Sequence, residues 1–356
     1  MSRFRQLALV ASLAVWSVGP LWTYQKKKDK EITQVLDLPK DPPMAVVADA
    51  DKLVFHVSTL STKGLLSQQT RDALKTINRL NKGANLIKLR AFVAGTGDMR
   101  RVQASVSETF ERRRKPIPAL SVIQVGALPL EGAQVVLEAT SAHRKVQNEN
   151  GLAFISGQAS VTKDPLGPLE AAVNSAGLDG ESVLRVTCLL SSLETNDTLR
   201  AQAAKAFPQA AINVVQLQRA PIEDFAECEA VAALKTKPER PLTFLESKTG
   251  SYSQIALVGP GKLAITGTQL AFRQQDDDVR LAFERIGSAL ESAGTDFKNV
   301  AMTRIYPLTG RTADQVRKIR FEFLDKERPP ASTLVLFQGL PSLDASFAID
   351  AVAVVP

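Results

Sequence analysis

The chain has 356 residues, 44% of them apolar and 23% charged, and a net charge of +7. These proportions are typical of a globular protein and exclude a disordered or fibrous chain. A single hydrophobic core rarely grows beyond roughly 250 residues, so several cores are expected. The 2 cysteines and 2 histidines offer neither a disulfide framework nor a metal-ligand spacing, and we predict no metal and no cofactor.

Residues 1–25 have the layout of a signal peptide or membrane anchor. Arg3 and Arg5 precede an uncharged stretch rich in Leu, Ala and Val. Such a stretch, about 20 residues long, is just long enough to cross a hydrocarbon core of about 30 Å. Cleaved and uncleaved leaders both remain open. We therefore predict a protein that is exported or membrane-anchored on the periplasmic side of the cell envelope, with a polar linker at residues 26–43.

Three similar segments follow the linker. Each begins with a β-rich run that contains a hydroxyl residue near its end, namely Ser58 in LVFHVST, Ser156 in GLAFISGQ and Thr266 in GKLAITGTQ. A segment with apolar residues at helical spacing comes next in all three, which predicts an amphipathic helix. A glycine that can adopt the left-handed conformation then stops each helix, at Gly83, Gly177 and Gly294.

Each segment continues with a strand, a second amphipathic helix and two closing strands. The predicted order is β-β-α-β-α-β-β, repeated in residues 44–141, 142–237 and 238–356. In the second repeat only about seven residues separate Gln158 from Pro165, where the helix begins. The first helix of that repeat is therefore predicted to be a turn or two short.

This order of elements, with hydroxyl residues near the strand ends and glycines at the helix ends, resembles the RidA/YjgF family of enamine/imine deaminases, also called endoribonuclease L-PSP-like. The resemblance covers residues 44–356 and rests on GSYSQ at 250–254, SGQ at 156–158 and ECEA at 227–230. It implies an α+β, chorismate-mutase-like fold; family members form trimers with a central β-barrel and ligand clefts between subunits. Three copies in one chain are predicted to form an intrachain pseudo-trimer, a monomer that binds a small-molecule ligand in clefts between repeats.

The resemblance implies hydrolysis of reactive enamines or imines, in which an arginine holds the substrate carboxylate. At that position this sequence has Leu120, Ile212 and Ser332. The arginine is thus absent from all three copies. The resemblance therefore indicates a diverged deaminase-like hydrolase and leaves open whether it is active.

Other family site positions are spread unevenly over the repeats. The acidic position is Glu227 in the second repeat, a candidate general base, while Val136 and Ala348 occupy it elsewhere. The candidate ligand-binding residues are Tyr252, Thr266, Ser156, Ser58 and, as a substitute cation, Arg328. Structural alternatives remain open: a solvent-facing Glu227, a half-buried Tyr252, and hydroxyl groups that bond to backbone at strand ends.

Two other functions compete with the deaminase. The first is a non-catalytic ligand-binding or interaction module at a membrane surface, which the missing arginine favours. The second is endoribonuclease-like RNA cleavage, which draws only on the basic charge balance. The run from Arg112 to Lys115 is typical of a helix end, and no basic strand with interleaved aromatic residues indicates a nucleic-acid partner. Cys188 and Cys228 are assigned to packing within strands.

Overall fold

Three β-sheets, each with two α-helices on one face, form the part of the chain that the computed structural model describes. The described residues are 39–160, 164–221, 223–245 and 251–356. The predicted leader at 1–25 and most of the linker lie outside them. Among the helices of the described ranges, none is long and apolar enough to cross a membrane.

The helices and strands follow the predicted order in the first repeat and depart from it before the first helix of the other two. The strands are β1 (Ala45–Asp49), β2 (Leu53–Val57), β3 (Asn85–Ala94), β4 (Ala119–Val125), β5 (Val135–Ala142), β6 (Leu152–Ser160), β7 (Val183–Leu190), β8 (Ala211–Gln216), β9 (Ala226–Ala233), β10 (Leu242–Leu245), β11 (Ile255–Val258), β12 (Lys262–Thr266), β13 (Gln269–Phe272), β14 (Val300–Pro307), β15 (Ala331–Leu334) and β16 (Ala345–Val355). The helices are α1 (Leu66–Leu80), α2 (Arg100–Arg112), α3 (Gly167–Ser175), α4 (Asn196–Ala206), α5 (Asp276–Ser292) and α6 (Gly310–Ile319).

One core strand order recurs in the three sheets: β2-β5-β3-β4, β6-β9-β7-β8 and β12-β16-β14-β15. In each sheet the last pair is parallel and the two preceding pairs are antiparallel. The mixed α+β class predicted from the sequence is confirmed. Isolated bridges such as Gln124 with Gly339 and Ala127 with Gln216 link the sheets. The described strands therefore form three sheets rather than one closed barrel.

The helix predictions hold in detail. Gly83, Gly177 and Gly294 have φ angles of +90°, +70° and +80°, the left-handed conformation that favours glycine. In the second repeat the first helix, α3, has 9 residues, against 15 in α1 and 17 in α5. The short connection after Gln158 explains the difference.

The predicted strand order needs two corrections. Among the described residues of the second repeat, β6 is the one strand before α3. The short connection from β5 instead folds over the edge of β2, where the Asn148 amide donates to the Leu53 carbonyl over 2.8 Å. In the third repeat four strands precede α5, because β10 and β11 extend the second sheet and β13 pairs with β16.

Strands near the start of the first and third repeats extend the sheet of another repeat. β1 of the first repeat pairs with β12 of the third, with Val46 opposite Ile265. β11 of the third repeat pairs with β6 of the second, with Ile255 opposite Ile155. Backbone hydrogen bonds therefore tie each of these repeats to another, so the repeats are not independent modules.

Alternation along the central strands separates two kinds of environment. In β3, Leu89, Ala91 and Val93 pack with α1 and α2 in the core of the first repeat. Arg90 and Phe92 point the opposite way, towards the other two sheets. Because strand side chains alternate between faces, the inner faces of the three sheets meet in the middle of the fold.

A buried cluster of charged residues lies where the three sheets meet. We call it the central ion cluster; its members are Lys88, Arg90, Glu138, Arg185, Glu229, Arg304 and Asp350. Glu229 accepts from Arg90 and from Arg304, both over 2.8 Å. Burial opposes the ionisation of Glu229, but the charges of Arg304, Arg90 and Arg185 outweigh it and hold its pKa well below the usual range.

Each carboxylate of the cluster also accepts a hydrogen bond from the fourth core strand of another sheet. The pairs are Asn213 to Glu138 over 2.7 Å, Thr333 to Glu229 over 2.6 Å, and Ser121 to Asp350 over 2.6 Å. The donors belong in turn to the second, third and first repeats, and the acceptors to the first, second and third. The same contact is thus made three times in cyclic order.

The cysteines form a disulfide bond, which the sequence interpretation missed. Cys188 on β7 lies directly opposite Cys228 on β9, and the bonded pair is buried in the core of the second repeat. The two residues are 40 positions apart, so their pairing depends on the register of two strands that sequence alone does not give.

We predict that Glu229→Gln destabilises the fold by about 3 to 5 kcal/mol, because loss of one member leaves buried cations without their partner. The free energy of unfolding should be measured by urea denaturation. Glu223→Gln, at an exposed glutamate just before β9, is the matched control and should leave the free energy unchanged. Equal effects of the two substitutions would contradict the pairing described here.

Reduction of the disulfide should lower the free energy of unfolding by about 2 to 4 kcal/mol, since the bond closes a long loop and restricts the unfolded chain. Urea denaturation with and without reductant measures the change. The double variant Cys188→Ala, Cys228→Ala should not respond to reductant. Alkylation of both cysteines in unfolded, unreduced protein would show that the bond is not formed.

Candidate active site

The cleft between the second and third repeats brings together two of the predicted site residues, Glu227 and Tyr252. A cavity of about 310 Å³ is lined there by Glu227, Ser251, Tyr252, Arg317, Arg320, Ser332 and Leu334. We call it the Glu227 cleft. Its acid comes from the second repeat and its other lining residues from the third. Neither repeat could form this cavity alone.

Glu227 lies on β9 with its carboxyl group against Gly157. A side chain at position 157 would collide with that carboxyl group, so the glycine of the SGQ sequence is needed for space. Burial, together with the nearby charge of Glu229, raises the pKa of Glu227 to about 8. The carboxyl group is therefore mostly protonated at neutral pH and can donate a proton before it accepts one.

Arg320 supplies a cation to the same cavity. It follows α6, is only 4% exposed, donates to the Ser251 carbonyl oxygen and lies over the Phe321 ring, 4.8 Å from its centroid. Its Nε has no hydrogen-bond partner. Burial, with the Arg317 charge, lowers its pKa to about 10, so the guanidinium stays charged at neutral pH.

The pKa of Tyr252 depends on both Glu227 and Arg320. Burial raises its pKa, the Glu227 charge adds to this effect, and the Arg320 charge opposes it. The predicted ligand-facing tyrosine thus lines the same cavity as the predicted acid. The ring is half-buried. A half-buried tyrosine can also face a ligand, so the structural alternative and the ligand-binding prediction for Tyr252 do not exclude each other.

Ser332, the residue that the resemblance aligns with the family arginine, lines this cleft. Its hydroxyl group accepts from Thr303 over 3.1 Å, and its backbone N–H donates to the Ser156 hydroxyl oxygen over 2.9 Å. Ser156 in turn donates to the Ser253 carbonyl oxygen over 2.6 Å. Ser156 therefore joins the second repeat to the third through backbone contacts.

The other two clefts have different chemistry. Between the first and second repeats a cavity of about 560 Å³ is lined by Ser58, Val136 and Ile212, among others. Ser58 accepts there from the Leu137 backbone N–H over 3.0 Å. At the remaining junction the Thr266 hydroxyl accepts from the Ala351 backbone N–H over 2.9 Å.

Arg328 lies in a neighbouring groove of about 500 Å³ that shares Tyr252 with the Glu227 cleft. Its guanidinium stacks over the Phe244 ring, 5.8 Å from the centroid. The buried cation of the cleft is Arg320, which sequence reasoning missed; Arg317, which also lines the cleft, is exposed. A signal was available, because Arg320 comes four residues after Val316 and directly after Ile319, and so continues the buried face of α6 into the turn that follows it.

Comparison with models of known protein families gives a match for one part of the chain. Residues 247–355 match the family model described as Endoribonuclease L-PSP. This stretch contains Tyr252, Arg320 and Ser332, the contribution of the third repeat to the Glu227 cleft. A search of curated proteins gave no match.

Solved structures of similar proteins each align with about a third of the chain. A Mycobacterium tuberculosis member of the YjgF/YER057c/UK114 family has 26% identity and a TM-score of 0.25, covering 32% of this chain and 99% of its own. A YjgF-family protein from Neisseria meningitidis has 15% identity and a TM-score of 0.25, covering 32% and 95%. A Rid-family protein from Yersinia pestis has 15% identity and a TM-score of 0.29, covering 32% and 99%.

The raised pKa of Glu227 predicts a pH-dependent stability. The folded chain holds this proton more tightly than the unfolded chain, so between the ordinary pKa of 4.5 and about 8 the free energy of unfolding falls as pH rises. Glu227→Gln should remove this component and be progressively more stable than the parent towards pH 8. Urea denaturation from pH 5 to pH 9 measures the difference.

Glu223→Gln again serves as the control, because that glutamate is exposed and lies four residues away on the same segment. Its stability should follow the parent protein at every pH. Parallel pH profiles for Glu227→Gln and the parent protein would contradict a raised pKa.

Proposed function

We propose that this chain, whose residues 247–355 match the Endoribonuclease L-PSP family model, is a RidA/YjgF-type, deaminase-like hydrolase of small, reactive enamino or imino acids. One observation supports this most directly: Glu227, Tyr252 and Arg320 line a single cavity. A proton donor, an aromatic hydroxyl and a cation are thus available to one small substrate.

Arg320 is proposed to replace the missing family arginine. A guanidinium pairs well with a carboxylate because its N–H groups form a planar fork. Arg320 approaches from the end of α6 rather than from the fourth core strand, where Ser332 stands. Its unpartnered Nε leaves a donor free for a bound carboxylate.

Glu227 is proposed to move the protons of the reaction. The protonated carboxyl group gives its proton to the terminal carbon of the enamine, which forms a C–H bond and an iminium group. The carboxylate then takes a proton from water while the water oxygen bonds to the iminium carbon. A proton passes from the new hydroxyl group to the amine through the same carboxyl group, ammonia leaves, and a 2-oxo acid remains.

The three repeats are proposed to form an intrachain equivalent of the family trimer. Support comes from the recurring core strand order and from the hydrogen bonds that connect the central ion cluster in cyclic order. Tethering the repeats makes their association intramolecular. Among the clefts formed by the described residues, the Glu227 cleft is the one lined by both an acid and a buried arginine.

A non-catalytic ligand-binding role is the second proposal, with the protein exported or held at a membrane by residues 1–25. The absence of the family arginine from its usual position supports it, because a cleft can bind a carboxylate without catalysing its reaction. The disulfide bond fits an exported protein, since such bonds persist mainly in oxidising compartments.

The rate of ammonia release from 2-iminobutanoate, generated enzymatically in the assay, distinguishes the hydrolase from the non-catalytic binding module. We expect a rate above buffer for the parent protein, at least a tenfold lower kcat for Glu227→Gln, and a higher KM for Arg320→Met, because loss of the cation weakens carboxylate binding. Arg328→Ala tests which arginine serves the substrate: a raised KM there, with none in Arg320→Met, would contradict our assignment.

Arg200→Met is the matched control, because Arg200 lines the cavity between the first and second repeats. It should leave the rate unchanged. A parent rate equal to buffer would reject the hydrolase. Calorimetric titration with 2-oxobutanoate would then distinguish the binding module: binding that is lost in Arg320→Met supports it, and no binding by the parent protein rejects it.

A further inference from the structure

We propose that the central ion cluster holds a buried monatomic anion of the chloride type. The site lies in the middle of the fold, where the three sheets meet, and is distinct from the Glu227 cleft. Its cations are Lys88, Arg90, Arg185 and Arg304.

A small cavity lies within the cluster. Its volume is about 30 Å³, and all four cations line it together with Glu138 and Asp350. A buried cavity needs roughly 10 to 15 Å³ to hold one water molecule. The space therefore admits a single ion or a water molecule or two, and it excludes phosphate, sulfate and organic acids.

The charges around the cavity do not balance. Among the described residues the cluster contains four cations and three carboxylates, so one positive charge lacks a buried counterpart. An unpaired buried charge is costly because it has lost its hydration. A single bound anion would balance the cluster without any change in the side chains.

Arg185 is the least satisfied of these cations. It is 5% exposed, yet its strongest contact is a 3.5 Å approach of Nη2 to Glu229 Oε1. Its Nε has no hydrogen-bond partner. Glu229 is already bonded to Arg90, Arg304 and Thr333, which leaves Arg185 with unused donors beside the cavity.

The remaining surroundings favour a weakly hydrated anion over bulk water. Besides the charged residues and Thr140, the cavity is lined by Leu53, Phe55, Phe154, Ile265 and Val352. The Arg185 guanidinium also lies over the Phe55 ring, 5.4 Å from its centroid. Apolar walls combined with converging N–H donors strengthen the attraction of an anion, because little water screens the charges.

Bromide provides the direct test. Crystals of the full chain grown in sodium bromide should show an anomalous scattering peak inside the cavity, at hydrogen-bond distance from Arg185. A cavity without a bromide peak would overturn the proposal, and so would a cavity occupied only by water, with Lys88 deprotonated to balance the charge. This test does not depend on enzymatic activity.

Stability in solution gives a second test. Replacement of sodium gluconate by sodium chloride at constant ionic strength should raise the folded-to-unfolded ratio by a factor of one plus chloride over Kd, about tenfold at ten times Kd. Arg185→Met should lose this dependence, while Arg144→Met, at an exposed arginine, should keep it. Equal chloride dependence in both variants would overturn the proposal.

Discussion

The mutual neutralisation of charges between the three sheets is the constraint on which the rest of the structure depends. Glu229 of the second repeat is held ionised by Arg90 of the first and Arg304 of the third. A repeat that folded alone would leave the charged residues of its inner face without these ion-pair partners. Polar groups buried in low dielectric must be paired, so the repeats reach a stable state only together.

The same constraint positions the candidate active site. On β9, Glu229 enters the central ion cluster and Glu227, two residues earlier, reaches the cleft beside Gly157. Cys228, between them, points to the opposite face and bonds to Cys188 on β7. Three consecutive residues therefore fix the strand from both faces. The charge of Glu229 also helps to raise the pKa of Glu227, which couples the chemistry of the cleft to the centre of the fold.

Sequence periodicity predicted the helices, the glycine stops and the closing strands, because these depend on local patterns. Features that depend on contacts between repeats were not predicted. The pairing of β1 with β12 joins the first repeat to the third. The Cys188–Cys228 bond lies within the second repeat, but it depends on the register of β7 and β9, which local patterns do not give either. Glu227 and Tyr252 were predicted from the resemblance, which points to Ser332 and not to Arg320 as the position of the family arginine. Arg320 follows the buried face of α6, and an arginine that continues an apolar stripe is the sequence signal for it.

The placement of β16 determines how the fold responds to mechanical tension. This strand pairs with β12, β13 and β14 and carries Asp350, which accepts from Ser121 of the first repeat. A force that pulls β16 out of its sheet must break the backbone hydrogen bonds to all three neighbouring strands before β16 is released. Extraction of Asp350 would then leave Lys88 without its carboxylate, so unfolding that starts in the third repeat spreads to the first rather than stopping at the boundary between them.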